Sequence, residues 1–418
     1  MRILNFIIMG IFALILSYFL PVFINLFMPL NYSFERVRYS PVIDEFIYSN
    51  TNRKDNTKSF KIIGGNEISE DKFLELQPFT NYYVLIQKGK FPQKFKMYEN
   101  NTSLIVKNSQ FLNLKYASNK AKYPDLYVLI EPDELYGRLK YAPFLIRLGS
   151  KNGFDVINTD INKIDKNLSE NLNKAFLDEG FKLPAKAFFS NPSLMKEFDE
   201  GAFVVDSTNT IFHLKFNDNK FWIKNTNITK PNIIKMVISE NKRREFYALV
   251  ITSNEIGLLS YDYKFINLPN DEYEPFKANL NLAISPVDKV LSFTTKEQIK
   301  TYVMDLDYNV IKQNTTQLTP PTSSRELKAY VLPFELSIVQ DDYAYEFKFI
   351  NFSAKSVFIS VLLAFGFFAY NLAFKKRKAF ADSVFIAIFG IYGLIAEIFY
   401  GIKRNINEKI FTNYLYNY

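Results

Sequence analysis

Ala202-Phe203-Val204-Val205-Asp206 leads through Ser207–Thr210 into Ile211-Phe212-His213-Leu214-Lys215-Phe216, and then through Asn217–Lys220 into Phe221-Trp222-Ile223-Lys224. β-Branched and aromatic runs bounded by Ser, Thr, Asn and Asp read as strands joined by hairpin turns. The pattern recurs in Tyr247–Thr252, Gly257–Tyr261 and Lys264–Leu268, and again in Val290–Thr294, Lys300–Asp305 and Tyr308–Lys312. Aligning Asp206, Thr252 and Thr294 gives spacings of 46 and 42 residues, a period that suits a four-stranded propeller blade better than a helical solenoid. The competing reading is an irregular sandwich, whose meanders repeat because strands and turns do. Working outward, Tyr82–Ile86, Ser103–Val106, Leu126–Ile130 and Phe144–Arg147 are candidate strands of further units. One helix interrupts them at Ile161–Glu179, where Ile164, Leu168, Leu172, Ala175 and Phe176 recur at helical steps before Gly180 supplies a stop. Gln317–Arg325, with Pro320-Pro321, reads as a loop.

Three apolar stretches flank this region: Ile3–Leu30, Ser356–Phe374 and Ser383–Tyr400. Each is long enough to cross a hydrocarbon core of roughly 30 Å. Lys375, Lys376, Arg377 and Lys378 fall between the last two, and short basic loops stay on the cytoplasmic side. The large central region is therefore expected outside the cytoplasm, in the periplasm of a two-membrane bacterium. Ile3–Leu30 reads as an uncleaved anchor; the alternative is a signal peptide starting at Arg2, but the run is long for one and shows no A-x-A-like site. Lys403, Arg404 and Lys409, partly offset by Glu408, then end outside, unless the third stretch is re-entrant. Glu397 is the one acid in an expected span, and is either functional or interfacial. Small residues (Ala387, Gly390, Gly393 and Ala396, and the Ala369/Ala373 pair) offer faces for helix packing.

The expected organisation is an anchor over 1–30, an N-terminal periplasmic β-rich region over 31–165, and a propeller-like β-repeat region over 166–355. A transmembrane helix at 356–374, a basic cytoplasmic loop at 375–382, a transmembrane helix at 383–400 and a tail at 401–418 follow. The fold class is mainly β, a propeller-like domain flanked by one N-terminal and two C-terminal transmembrane helices.

Zero cysteines among 418 residues exclude disulfides, thiolate zinc sites and thiol nucleophiles. The net charge of +8 is scattered among acids rather than gathered into a patch, which argues against nucleic acid. With one histidine there is no His/Cys metal set, and no cofactor is expected. Asp305-x-Asp307-x-Asn309 starts like a calcium loop, but Val310 stands where glycine is needed and Thr316 where the bidentate Glu belongs, so a polar hairpin turn is expected. Nucleophile-elbow, P-loop and dinucleotide signatures are absent. The acid pairs Glu131/Asp133, Asp199/Glu200 and Asp341/Asp342 are the material for an alternative reading as an envelope hydrolase. A periplasmic sensor is the other alternative. His213 lies opposite Phe212 and Leu214 in its strand and is expected exposed if those two are core; it and Trp222 are candidate ligand or partner contacts. Glu99-Asn100-Asn101-Thr102-Ser103 and Asp165-Lys166-Asn167-Leu168-Ser169 have the acid-x-Asn-x-Ser form of a bacterial N-glycosylation sequon, making Asn101 and Asn167 candidate acceptors, with Asn167 weakened by its place in a helix.

The passage Gly180-Phe181-Lys182-Leu183-Pro184-Ala185-Lys186, Asn191-Pro192, Lys196-Glu197-Phe198-Asp199-Glu200-Gly201-Ala202-Phe203, Asp206 and Phe212-His213-Leu214 resembles a bacterial family described as a domain of unknown function. The likeness is best over about residues 170–350, whereas residues 31–120 show none. It implies an exported β-repeat region between membrane spans and, as partner, an ABC-transporter permease encoded nearby; no catalytic residues come with it. The reading that results is a non-catalytic binding or scaffolding accessory in the inner membrane, contacting lipid and membrane subunits.

Overall fold

The computed structural model describes residues 2–27, 33–52, 55–119, 125–133, 135–149, 153–271, 273–319, 324–341, 344–374 and 379–400. Lys375, Lys376, Arg377 and Lys378, and the charges at 403, 404, 408 and 409, lie outside the described residues. The chain forms two compact units, one drawn from residues 1–35, 50–58 and 319–418, the other from 36–49 and 59–318.

The chain starts with helix α1 (Arg2–Phe27) and a three-stranded sheet of β1 (Ser33–Ser40), β2 (Glu45–Asn52) and β3 (Lys58–Ile62). Four short helices follow, α2 (Glu70–Glu75), α3 (Tyr82–Gln87), α4 (Lys96–Glu99) and α5 (Thr102–Asn108), then strand β4 (Gln110–Leu114). The first four-stranded antiparallel meander is β5 (Leu126–Asp133), β6 (Arg138–Leu148), β7 (Phe154–Asn158) and β8 (Lys163–Ile164), followed by α6 (Lys166–Asp178). The second is β9 (Ala187–Ser190), β10 (Ala202–Val205), β11 (Thr210–Asn217) and β12 (Lys220–Thr229). The third is β13 (Ile233–Ile238), β14 (Phe246–Thr252), β15 (Ile256–Ser260) and β16 (Phe265–Leu268). The fourth is β17 (Asn279–Ile284), β18 (Lys289–Thr294), β19 (Gln298–Met304) and β20 (Val310–Gln317), to which β4 adds an edge beside β17.

The sequence repeat is real, with a shifted frame. β9, β13 and β17 begin at 187, 233 and 279, 46 residues apart each time. Each copy found by sequence holds only the second to fourth strands of its meander. The missing first strands are set off by connections of unequal length, 191–201, 239–245 and 285–288, so the turns in them fall at no constant spacing. The next turn does repeat. Asp206 accepts from the N–H groups of Thr208 and Thr210, Thr252 Oγ1 from those of Asn254 and Glu255, and Thr295 Oγ1 from those of Glu297 and Gln298. Side-chain acceptors that satisfy turn N–H groups nucleate hairpins locally.

Successive meanders pack face to face. Phe144, Ile146, Phe154 and Phe176 meet Val204, Phe212 and Leu214 in one layer; Phe203, Val205 and Ile211 meet Met236, Ala248 and Val250 in the next; Leu249, Ile251 and Leu258 meet Leu280, Leu282 and Leu291 in a third. On the outer face of the fourth meander Ile299 and Val303 pack with Val37, Phe46 and Tyr48. Alternate residues of one strand thus serve different layers, and β10 and β14 are buried along their whole length. The architecture is mainly small antiparallel sheets with some helices; propeller closure is not found among the described residues.

Three local expectations are corrected. Tyr82–Ile86 and Ser103–Val106 lie in helices α3 and α5, because Leu85 and Ile105 are buried with Phe79, Phe91 and Phe95 in a helical cluster, where packing overrides β propensity. Leu126–Ile130 and Phe144–Arg147 do lie in β5 and β6. The expected helix 161–179 starts at Lys166, with Asp165 capping the Leu168 N–H at 3.0 Å, and Ile164 belongs to β8 and is exposed. Gly180, at φ +85°, ends it as expected.

The smaller unit holds α1, α7 (Ser324–Val331), a hairpin of β21 (Glu335–Asp341) and β22 (Ala344–Ile350), and helices α8 (Ala354–Phe374), α9 (Phe380–Phe389) and α10 (Ile391–Tyr400). Phe6–Phe27 and Ala354–Phe374 are long and apolar enough to span a membrane, and only 22% and 17% of their apolar windows are buried. Met9 and Ala13 of α1 pack with Leu332, Phe385, Tyr392 and Ala396. The expected third span, 383–400, is not one helix. It breaks at Gly390 (φ +57°) into two ten-residue pieces, and a side chain at Gly393 would meet Ile386 Cα and Phe385 O at 3.2 Å, so α10 folds back on α9. The buried seam of α8 runs along Ser356, Ser360, Ala364 and Asn371, while the expected Ala369/Ala373 pair faces outward. Ser360, Asn371 and Ser383 each donate to the carbonyl four residues back, which leaves few polar groups for an apolar surrounding to penalise.

Candidate functional site

The connection between β9 and β10, residues 191–201, turns its charges inward. Lys196 Nζ donates to Asn191 O at 2.8 Å, Asp199 Oδ1 at 2.6 Å and Glu240 Oε1 at 2.6 Å, and the Lys196 and Glu240 side chains are 4% and 2% exposed. Glu240, from the β13–β14 connection, also accepts from Asn191 Nδ2 at 2.6 Å and the Glu200 N–H at 3.0 Å. The second meander is therefore bolted to the third through a buried ion network whose lone pairs and protons are used. Such a network stabilises little over an apolar filling but is costly to break from one side.

Glu200 extends it. Its carboxylate accepts from Lys215 Nζ and the Tyr261 hydroxyl, both at 2.6 Å, and its carbonyl accepts from His213 Nε2. A carbonyl can only accept, so Nε2 carries the imidazole proton and Nδ1 accepts from the Tyr263 hydroxyl at 2.8 Å. The ring stacks on Phe203 at 4.4 Å and meets Tyr247 at 4.8 Å. Burial pushes His213 down to about 4, so it is neutral near pH 7. Burial, then the bond to Glu200, raises the Tyr261 phenol; burial, then Tyr247, raises Tyr263.

His213 is thus fully buried rather than exposed. Opposition to Phe212 and Leu214 is correct, but the second face of β11 is covered by the third meander instead of water. Trp222 remains about half exposed, its ring centroid 5.4 Å from that of His213 in an edge-to-face arrangement. A third knot joins the third and fourth meanders: fully buried Lys289 donates to Glu245 Oε1 and Leu306 O at 2.6 Å and sits 3.3 Å over the Tyr308 ring. Beside it Asp288, bonded to Ser285 Oγ at 2.8 Å, is pushed by burial up to about 6. In an up-and-down meander the first and third turns share an end, so all three knots lie along one rim.

In this rim each strong acid and base holds a neighbour, so the knots clamp adjacent meanders together. The acids of the proposed pairs are likewise separately engaged: Glu131 with Lys140, Asp133 with Arg138, Asp199 with Lys196 and Glu200 with Lys215. Asp342 lies outside the described residues. Asp305 bonds the N–H groups of Asp307 and Asn309 in the expected polar hairpin turn, and no group of three metal-ligating His, Asp or Glu is found among the described residues. Asn101 is exposed ahead of α5, with Ser103 Oγ bonded to its side chain. Asn167 is exposed in the first turn of α6, but its sequon partner Ser169 is buried and bonded to Asp165 O and the Val156 N–H. Glu397 is 9% exposed, facing inward beside Ala396 rather than snorkelling. Sequence reading missed Glu240, Tyr261, Tyr263 and Lys289 as partners; nothing local marks them, because each is defined by a residue from another strand or loop.

Part of the motif quoted for the family resemblance converges here: 196–203 and 212–214 meet in this knot, whereas Asp206 holds the turn at the opposite end of β10. A family model described as "Domain of unknown function (DUF4857)" matches residues 36–304. The chain belongs to this family. The DUF4857 match includes residues 36–120, where sequence reading found no likeness, so the helical cluster and β4 belong with the meanders. No curated protein and no solved structure matches the chain.

Proposed function

We propose that this DUF4857 chain is a membrane-anchored, non-catalytic binding or scaffolding subunit of an inner-membrane complex, its sheet stack on the periplasmic side. The observation that carries the reading is the exposure of α1 and α8: long apolar helices with most side chains uncovered are stable where lipid or another membrane helix replaces water. Packing of Met9 and Ala13 on the C-terminal helices supports an α1 that stays attached. The Lys375–Lys378 cluster supports the orientation. An apolar groove of about 450 Å³ along α8, lined by Ile359, Leu363, Gly366, Tyr370 and Leu394, suits a partner helix, and the ABC-transporter permease implied by the resemblance is the first candidate. Exposed Asn101 suits glycosylation in that compartment; the buried sequon serine argues against Asn167. A stack of meanders joined by buried ion pairs gives a partner a rigid surface, and attachment to the membrane raises its effective concentration there. Affinity purification of the full chain in mild detergent is expected to recover a membrane subunit; recovery of the chain alone, from cells with every membrane protein extracted, overturns the reading.

A further inference from the structure

The β21–β22 hairpin gathers its aromatic side chains on one face. Leu336 pairs with Phe349 and Ile338 with Phe347, and with Tyr345 these share that face; Glu335, Ser337, Val339, Glu346, Lys348 and Ile350 take the other. Tyr345, Phe347 and Phe349 are 70%, 71% and 50% exposed. A two-stranded hairpin is marginal in water by itself, and a contiguous bare aromatic face adds a further penalty.

Its attachments point to what covers it. Only residues 351–353 separate β22 from α8, and three residues reach roughly 10 Å. The Phe334 ring meets Phe349 at 5.4 Å and Phe352 at 6.1 Å on one side, and Tyr392 at 5.5 Å and Phe389 at 6.3 Å on the other, so the hairpin is held to the helix bundle. Tyr392 adds a hydrogen bond to Phe334 O at 2.6 Å. The first turns of α8, reached after those three residues, are likewise bare at Val357, Phe358 and Val361. Aromatic side chains favour the boundary between headgroups and acyl chains.

We infer that the β21–β22 hairpin is a lipid-contacting element whose Tyr345/Phe347/Phe349 face rests in the bilayer boundary where α8 enters, fixing the height of the anchor. This rests on the membrane reading above, and the test separates the two. Trp222 is the chain's one tryptophan, so Trp222→Phe provides a silent background into which Phe347→Trp or, midway along α8, Phe365→Trp is introduced. The full chain is reconstituted in phosphatidylcholine brominated near the headgroup end or deep in the acyl chain. The expected result is an emission loss of about two-fold for Phe347→Trp with shallow bromine and less with deep bromine, and the reverse order for Phe365→Trp. Quenching of Phe365→Trp with none at Phe347→Trp overturns the hairpin inference alone, as does a Phe347→Trp emission that is unquenched and shifts with protein density, which marks cover by a second copy. Quenching at neither overturns the membrane reading and this inference with it.

Discussion

Lys196 holds three acceptors at 2.6–2.8 Å with almost no water contact, so its worth shows when one partner is removed. Glu240→Ala is expected to destabilise the sheet stack by about 3–5 kcal/mol, because it strands a buried ammonium, whereas Lys196→Met combined with Glu240→Leu is expected to lose much less. Denaturant unfolding of both variants at equal pH checks the ordering. Two other buried groups set a pH dependence of opposite sign. His213, depressed to about 4, favours the folded state fully above its unfolded value of 6.5, and this contribution is lost as pH falls toward 4. Asp288, raised to about 6 from 3.8, favours folding below 3.8 and loses that contribution as pH rises through 6. The two nearly cancel between pH 4 and 6. Asp288→Asn is expected to gain up to about 3 kcal/mol at pH 8 and to expose the His213 limb as a steep loss of stability below pH 6.5, read from unfolding free energies across pH.

At the scale of elements, Gly390 decides whether the last apolar stretch crosses or turns. Its φ is positive, and an added Cβ would press on Ser360 Oγ and on Pro333 Cγ at 3.0 Å. Gly390→Ala is expected to lower the melting temperature in detergent, at a cost of about 1–3 kcal/mol, whereas Gly366→Ala, in open space within α8, is expected to leave it unchanged or raise it. The break itself was not legible: residues 383–400 contain only one acid, and glycine in an apolar helix is ordinary. What showed in sequence were the strands after tight turns, such as Ile211–Phe216 and Gly257–Tyr261, where Asp206 and Thr252 satisfy the turn locally. β9, β13 and β17 were missed because their following connections differ in length, so the turns at Asn191, Asn241 and Ser285 do not repeat at the period of the other strands. Tyr82–Ile86 misled for the opposite reason, since its β-favouring residues pack one helical face on Phe79 and Phe95.

For the whole molecule, the fold-back of α10 bears on topology. On the proposed membrane reading, a chain that enters the bilayer ahead of α9 and turns at Gly390 returns to the side it came from. A fluorescent reporter fused to the C-terminus, in a two-membrane bacterium, is expected to fluoresce as in the cytoplasm, and an alkaline phosphatase fusion at the same point to be inactive; the opposite pair of results returns the third stretch to a full crossing. Local chemistry alone determined the hairpins, their repeat, the α6 cap and stop, and the long apolar helices, because turn acceptors, side-chain alternation and segment length act over a few neighbouring residues. Tertiary structure decided the burial of His213, the partners of Lys196, Glu200 and Lys289, and the turn at Gly390. Each of these depends on a second face or a second chain segment arriving from tens of residues away, and no local pattern specifies which segment that is.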